Sequence, residues 1–258
     1  MKDIKIEAER VVREAGKLFF EKVTGYDVNE KKGTANFVTS VDLAVQAFVV
    51  RGLECILPGS NIITEESVSN LFHLERPTWI LDPVDGTTNL MYDYRHSAVS
   101  LALLIEGKPV LGMVYNPFLQ ELFLGEKGKG AFLNEKPIKV SSSRKLSDSL
   151  VAFGTTPYDR SKAARTFEIT RNVFGNSRDV RRSGSAALDM AYVACGRLDG
   201  FYELSLQPWD YAAGIILLEE AGGRVTNWAG RDLSCTEPDS VAATNGDIHE
   251  ELRSLLAE

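Results

Sequence analysis

The amino-acid sequence predicts an α+β chain built as two α/β halves, on three observations. Two N-terminal segments repeat apolar residues every three or four positions, which is the helical period. Between residues 61 and 133 the pattern shifts to short runs, alternating or continuously apolar, separated by turn residues. From residue 149 onward, strand-like and helix-like runs alternate. With 258 residues, 44% of them hydrophobic and 25% charged, the chain can bury a sizeable core.

The first helix is expected from Ile4 to Val23, with Ala8, Val11, Val12, Ala15, Leu18 and Phe19 on its apolar face. "GYDVNEKKGTAN", 25 to 36, has no periodicity and reads as a loop. A second helix should run from Val41 to Leu57, with Ser40 as N-cap and Pro58-Gly59 as its stop. Strands follow at Asn61 to Thr64, Trp79 to Leu81, Ser97 to Ile105, Val110 to Tyr115, Glu121 to Gly125 and Gly130 to Leu133. The connections "EGKP", "NPF" and "EKGKG" carry turn residues, so this region should be mostly an antiparallel meander. After the polar stretch 141 to 148 come a strand at Ser149 to Gly154, a helix at Lys162 to Phe174 and a helix at Ala186 to Cys195. A strand at Leu198 to Leu204, a helix at Pro208 to Ala221 and a strand at Val225 to Asn227 complete the expectation. The seam is placed at 141 to 148, dividing the chain into 1–145 and 146–258.

Charge and composition narrow the function. Net charge is −7 and no run of five or more basic residues interrupts it, so nucleic acid is not expected as a partner. No stretch approaches the ~20 apolar residues of a membrane span, and the N-terminus alternates charged with apolar side chains, so a cytoplasmic chain without membrane attachment is expected. The three cysteines, Cys55, Cys195 and Cys235, form no CxxC pair. His73, His96 and His249 are not spaced to share a zinc ion. Any metal here would be held by oxygen.

"WILDPVDGTTNL", 79 to 90, sets Asp82 and Asp85 directly after an apolar strand, with Gly86 permitting a sharp bend. A plain Asp-Pro-x-Asp-Gly turn would account for the spacing. Glu65 and Glu66 end another strand, Asp210 opens a helix and Asp42 lies in the first turn of the second helix. If these ends converge, the carboxylates repel one another unless cations neutralise them. An EF-hand is excluded, because Asp82 to Asp93 has valine at its third position and threonine at its sixth. An all-oxygen cluster suits a hard cation, Mg²⁺ foremost where water and phosphate complete the ligands. Gly86, Thr87 and Thr88 then offer backbone N–H groups to the phosphate where the next helix begins.

"DPVDGTTNL" and "PWDYAAGIILLEEAGG", 208 to 223, resemble the two signatures of the inositol monophosphatase family; "TEES", 64 to 67, and "NFVTSVD", 36 to 42, are similar to its remaining marks. The resemblance implies a layered α-β-α-β-α sandwich of the inositol monophosphatase and fructose-1,6-bisphosphatase type. It implies Mg²⁺, two or three ions per site: Glu65, Asp82 and the Val84 carbonyl for a first ion, and Asp82, Asp85 and Asp210 for a second. Asp42 with Thr87 resembles the pair that orients a water, and Glu65 joins them as a catalytic residue. Glu203, Ser185, Ala186 and a loop lysine, Lys31 or its neighbour Lys32, resemble substrate-side positions, although a surface glutamate, a small-residue helix start and a solvated lysine would look the same. His96 is expected to be satisfied or exposed rather than catalytic, and Phe201, Tyr202 and Trp209 to be core.

The expected activity is hydrolysis of myo-inositol monophosphate or a related sugar or polyol phosphate by a lithium-sensitive, homodimeric enzyme. The alternatives are a fructose-1,6-bisphosphatase, a histidinol-phosphatase or a 3′,5′-bisphosphate nucleotidase on the same scaffold, and a non-catalytic regulatory protein.

Overall fold

The computed structural model describes residues 2–20, 29–30, 37–66 and 76–256. Helix α1 is Lys2–Ala15, and a 3-10 turn at Gly16–Phe20 replaces the rest of the predicted helix. Positions 21 to 23 of that prediction, and most of the predicted loop 25–36, lie outside the described residues. Strands β1 (Asn29–Glu30) and β2 (Phe37–Val38) form a small antiparallel pair. Helix α2, Ser40–Ile56, is capped by Thr39 and not by Ser40. Thr39 is extended and its hydroxyl accepts from the backbone N–H groups of Val41 and Asp42, whereas Ser40 is already helical and its buried Oγ has no partner among the described residues.

Strand β3 (Asn61–Thr64) pairs in parallel with β4, which runs from Thr78 through Asp85 and is buried along its whole length. The two aspartates thus belong to the strand, not to a turn after it. A register irregularity between Asp82 and Asp85 accommodates Pro83, which cannot donate to the ladder. Short α3 (Thr87–Met91) follows at once. The meander continues through β5 (Ala98–Ile105), β6 (Lys108–Asn116), β7 (Glu121–Glu126), β8 (Gly130–Leu133) and an unforeseen β9 (Lys136–Ile138). Among the described residues these form one sheet of order β3-β4-β5-β6-β7-β8-β9, antiparallel except for the first pair.

The second half contributes β10 (Leu150–Phe153), α4 (Ala163–Asn176), β11 (Asp179–Arg181), α5 (Ala186–Ala194), β12 (Gly200–Leu206), α6 (Pro208–Glu220), β13 (Arg224–Thr226), β14 (Asp239–Thr244) and α7 (His249–Leu256). Of these, β11, β14 and α7 were not anticipated. The second sheet has the order β11-β10-β12-β14-β13.

Layers follow from which side chains face which neighbours. In β4, Trp79 and Leu81 enter a core with Val11, Val45, Val49 and Leu53 of α1 and α2. Ile80, pointing the other way, joins a core with Leu188, Ala213 and Leu217 of α5 and α6, and with Val241 and Ala243 of β14. Helices α4 and α7 pack on the outer face of the second sheet through Ile169, Val173, Leu252 and Leu256. The order is α1/α2, large sheet, α5/α6, small sheet, α4/α7: five layers, as the resemblance implied. The central helix α6 lies unusually close to the large sheet, because Gly112 and Gly125 leave no room for a side chain. A Cβ on Gly112 would fall 2.6 Å from the Ala213 carbonyl oxygen, and one on Gly125 3.0 Å from Leu217 Cα.

Candidate active site

The parallel register that sets Thr64 beside Leu81 places Glu65 next to Asp82 at one edge of the large sheet, and Glu65 N–H donates to the Leu81 carbonyl at 3.3 Å. Asp82 Oδ1 accepts from the Val84 N–H at 2.9 Å, which fixes its side chain against its own strand. Asp85 is held from across the layer boundary. Its Oδ2 accepts from the Ala187 N–H at 2.7 Å and from the Ser185 hydroxyl, at the N-terminus of α5. Asp210 lies in the first turn of α6, and its Oδ2 accepts from the Gln207 N–H at 2.7 Å in a capping box.

Oxygen atoms of Asp82, Asp85 and Asp210 all lie within 4.8 Å of one another. Burial, then the neighbouring Glu65, Asp85 and Asp210 charges, drive Asp82 well above the usual carboxylate range. Burial, then the Asp85 charge, does the same to Asp210. Asp85 is pushed up to about 6 by burial, against the opposing hydrogen bonds of Ser185 and Ala187. Three carboxylates in one place, each disfavouring the ionisation of the others, form a site that a hard cation would relieve. The all-oxygen donor set fits Mg²⁺.

Beside this cluster, Thr87 Oγ1 lies 2.9 Å from Asp42 Oδ1 and 3.1 Å from the Val84 carbonyl oxygen. Asp42 is fully buried, its other oxygen taking the Thr39 N–H at 3.0 Å and the Thr39 hydroxyl. Burial raises its pKa although these hydrogen bonds pull it down. The Val84 carbonyl keeps a second lone pair beyond its contact with Thr87. Gly86 has φ +92°, and a Cβ there would come within 3.0 Å of the His96 carbonyl oxygen, so glycine is required at the bend.

One cleft joins these groups. Glu65, Asp82, Val84, Asp85 and Asp210 line it together with Gly86, Thr87, Thr88, Ser185, Ala186 and Glu203. Glu203 is not a surface residue: it is 6% exposed, and burial pushes its pKa to about 7. Lys31 and Lys32 lie outside the described residues. His96 is neither exposed nor satisfied. Its half-buried ring stands edge-on to Tyr94 and Tyr192 away from the cleft, and Nε2 has no partner among the described residues. Trp209 is half-buried, whereas Phe201 and Tyr202 are core.

Sequence reasoning passed over three cleft residues. Asp189, 3% exposed, accepts from the Ser183 hydroxyl at 2.6 Å, and burial raises its pKa well above the ordinary value. Arg182 reaches Thr155 Oγ1 at 3.1 Å, and Tyr158 closes the rim. Asp189 and Arg182 flank the small-residue segment 183 to 188, but neither makes a motif by itself.

The sequence profile of the Inositol monophosphatase family matches residues 1–258. The chain belongs to the inositol monophosphatase family. It is 41% identical over 259 residues to Nus factor SuhB of Escherichia coli (strain K12), covering 96% of this chain and 97% of that one. It is 39% identical over 256 residues to Inositol-1-monophosphatase of Synechocystis sp., covering 98% and 88% of the two chains. The solved structure of extragenic suppressor protein suhB from Bartonella henselae superposes with a TM-score of 0.92 at 35% identity, covering 99% of this chain and 98% of that one. Family membership accounts for the five layers and for the acidic cleft, and makes a small phosphate ester the expected class of substrate.

Proposed function

We propose that this family member is a Mg²⁺-dependent phosphomonoesterase acting on myo-inositol monophosphate or a related sugar or polyol phosphate. The observation that carries the reading is the meeting of Asp82, Asp85 and Asp210 within 4.8 Å, next to the hydrogen-bonded Thr87 and Asp42. Glu65, Asp82, the Val84 carbonyl, Asp85 and Asp210 would hold two or three ions. When bound, Mg²⁺ lowers the pKa of water, neutralises phosphate charge and stabilises the leaving oxygen.

The remaining work falls to the protein's own groups. Thr87, donating to Asp42, turns its lone pairs outward to accept a proton from the attacking water and so orients that water on phosphorus. Asp42, with a pKa raised by burial, is suited to draw that proton through Thr87. The N–H groups of Gly86, Thr87 and Thr88 face the phosphate oxygens. Ser185 and Ala186 shape the opposite wall and Glu203 accepts from a hydroxyl of the polyol. Phosphate release from a panel of esters, in Mg²⁺ and in excess chelator, tests the reading; undiminished turnover in chelator overturns it. The same panel separates inositol phosphates from fructose 1,6-bisphosphate, histidinol phosphate and 3′,5′-bisphosphate nucleotides.

A second reading, a regulatory role without catalysis, is supported by the 41% identity to a protein named Nus factor SuhB. Absence of phosphate release from every ester, with Mg²⁺ binding retained, would favour it. Mobility shift against RNA in the same preparation tests the expectation that nucleic acid is no partner. The reading includes a cytoplasmic chain acting, as a homodimer, on a small diffusible ester; no helix among the described residues is long and apolar enough to cross a membrane.

A further inference from the structure

Glu203 reaches the cleft from β12 across the end of β10, and the segment after β10 is shaped around its carboxylate. Gly154 lies directly beneath it: a Cβ on Gly154 would stand 1.7 Å from Glu203 Oε2 and 2.1 Å from Cδ. The carboxylate therefore occupies the place where any other residue would carry its side chain. Two positions on, the Thr156 N–H donates to Glu203 Oε1 at 2.7 Å and the Thr156 hydroxyl lies 3.3 Å from the same oxygen. Thr156 is 1% exposed and has φ +43°, a left-handed conformation that a β-branched residue rarely adopts, and it precedes Pro157. Such strain persists only where its surroundings impose it. Oε2, by contrast, takes no hydrogen bond among the described residues, and Glu203 and Gly154 both line the cleft.

We propose that Gly154 and Thr156 are positioning residues that seat Glu203, locking Oε1 and presenting Oε2 to a substrate hydroxyl, and so set a preference for phosphate esters of polyols. The inference rests on the polyol reading of Glu203 given above. The seat acts through an acceptor placed in advance: a substrate hydroxyl finds the carboxylate already desolvated and aimed. The three atoms nearest a methyl group at position 154 all belong to the Glu203 carboxylate, the far end of a side chain that can change rotamer, so the fold accommodates the methyl group while the carboxylate is pushed off its seat.

The experiment measures kcat/KM for inositol 1-phosphate and for p-nitrophenyl phosphate, and takes their ratio as selectivity. Glu203→Ala fixes the reference, with an expected fall in the ratio of about tenfold to a hundredfold, the value of one hydrogen bond to a charged group. Gly154→Ala should lower the ratio by at least half as many powers of ten, and should add nothing in the Glu203→Ala background, as residues acting through one group must. If Glu203→Ala lowers the ratio and Gly154→Ala does not, or if their effects add, the seat is refuted while the polyol reading stands. If Glu203→Ala leaves the ratio unchanged, both fall. Should thermal melts show Gly154→Ala unfolded, Thr156→Val replaces it; it keeps the branched shape and removes only the hydroxyl. A fall of roughly two- to fivefold is expected from that weaker, longer bond, and an unchanged ratio refutes the seat.

Discussion

Replacing Asp85 with asparagine should make the metal-free protein more stable while weakening its response to Mg²⁺. The Asp85 carboxyl rises from its ordinary value of 3.8 to about 6 in the folded chain, chiefly through burial. Between those values the folded state holds a proton that the unfolded state has released, so stability is gained as pH falls through about 6 and lost as it rises. Above that interval the penalty of the buried charge is constant. At ~1.4 kcal/mol per pH unit its ceiling is about 3 kcal/mol. Neighbouring Asp82 and Asp210 can protonate in its place, so about half that figure is expected to survive. Asparagine never ionises and can still accept from the Ala187 N–H. In chelator at pH 7.5, Asp85→Asn should therefore melt roughly 2–6 °C above wild type, with the advantage shrinking as pH falls through 5 toward 4. Addition of Mg²⁺ should reverse the order, since the variant has lost a ligand. Differential scanning calorimetry across pH, with and without Mg²⁺, makes the measurement. A variant less stable than wild type at pH 7.5 in chelator would show that Ser185 and the α5 N-terminus already compensate the charge in full, and that no cation is needed to explain the cluster.

Asp82→Asn should keep the fold, checked by circular dichroism, and lose at least ~10²- to 10³-fold in kcat, as expected for a preorganised charged group; retention of a tenth of the rate would reduce Asp82 to a strand residue. Chelator-stripped protein should regain phosphate release with Mg²⁺ and not with Ca²⁺, whose larger and looser coordination misplaces the water; equal recovery with both contradicts the small-cation site. Thr87→Val, which keeps the branched shape and removes the hydroxyl that meets Asp42, should lower kcat by about 10²-fold or more with KM little changed; a change confined to KM would remove Thr87 from the chemistry. Gly125→Ala drives a methyl group to within 3.0 Å of the α6 backbone and should cost about 1–3 kcal/mol in urea melts; a neutral result would show that α6 yields freely.

Much of the site could be read because it is written in local chemistry. Trp79 to Leu81 form a continuous apolar run because β4 is covered on both faces, by α1 and α2 on one side and by α5 and α6 on the other. Carboxylates at the ends of such a strand stand out. The limits were equally physical. A proline and two aspartates read as a turn, yet a register irregularity lets the strand run through them. Thr39 and Ser40 are both competent caps, and only backbone conformation decides between them. For Glu203 the alternative of a surface glutamate stayed open because nothing near it in sequence reveals Gly154, which lies 49 positions away and makes its burial possible. Arg182 enters the cleft from the turn before α5 and Asp189 from the first turn of α5 itself, a placement that only the assembled layers define. The C-terminal β14 and α7 are short and find their apolar partners across the small sheet.

The close approach of α6 to the large sheet has a consequence for how the protein answers perturbation. With its carbonyls and Cα atoms resting on Gly112 and Gly125, α6 behaves as a strut, about 20 Å long for its thirteen residues, with Asp210 at its tip. Sliding the strut by a fraction of an ångström draws Asp210 away from Asp82 and Asp85, which are fixed to the sheet. On the proposed function, cation affinity is therefore a gauge of how the layers are stacked, and a core substitution remote from the three aspartates is expected to register as weakened ion binding before it registers as unfolding.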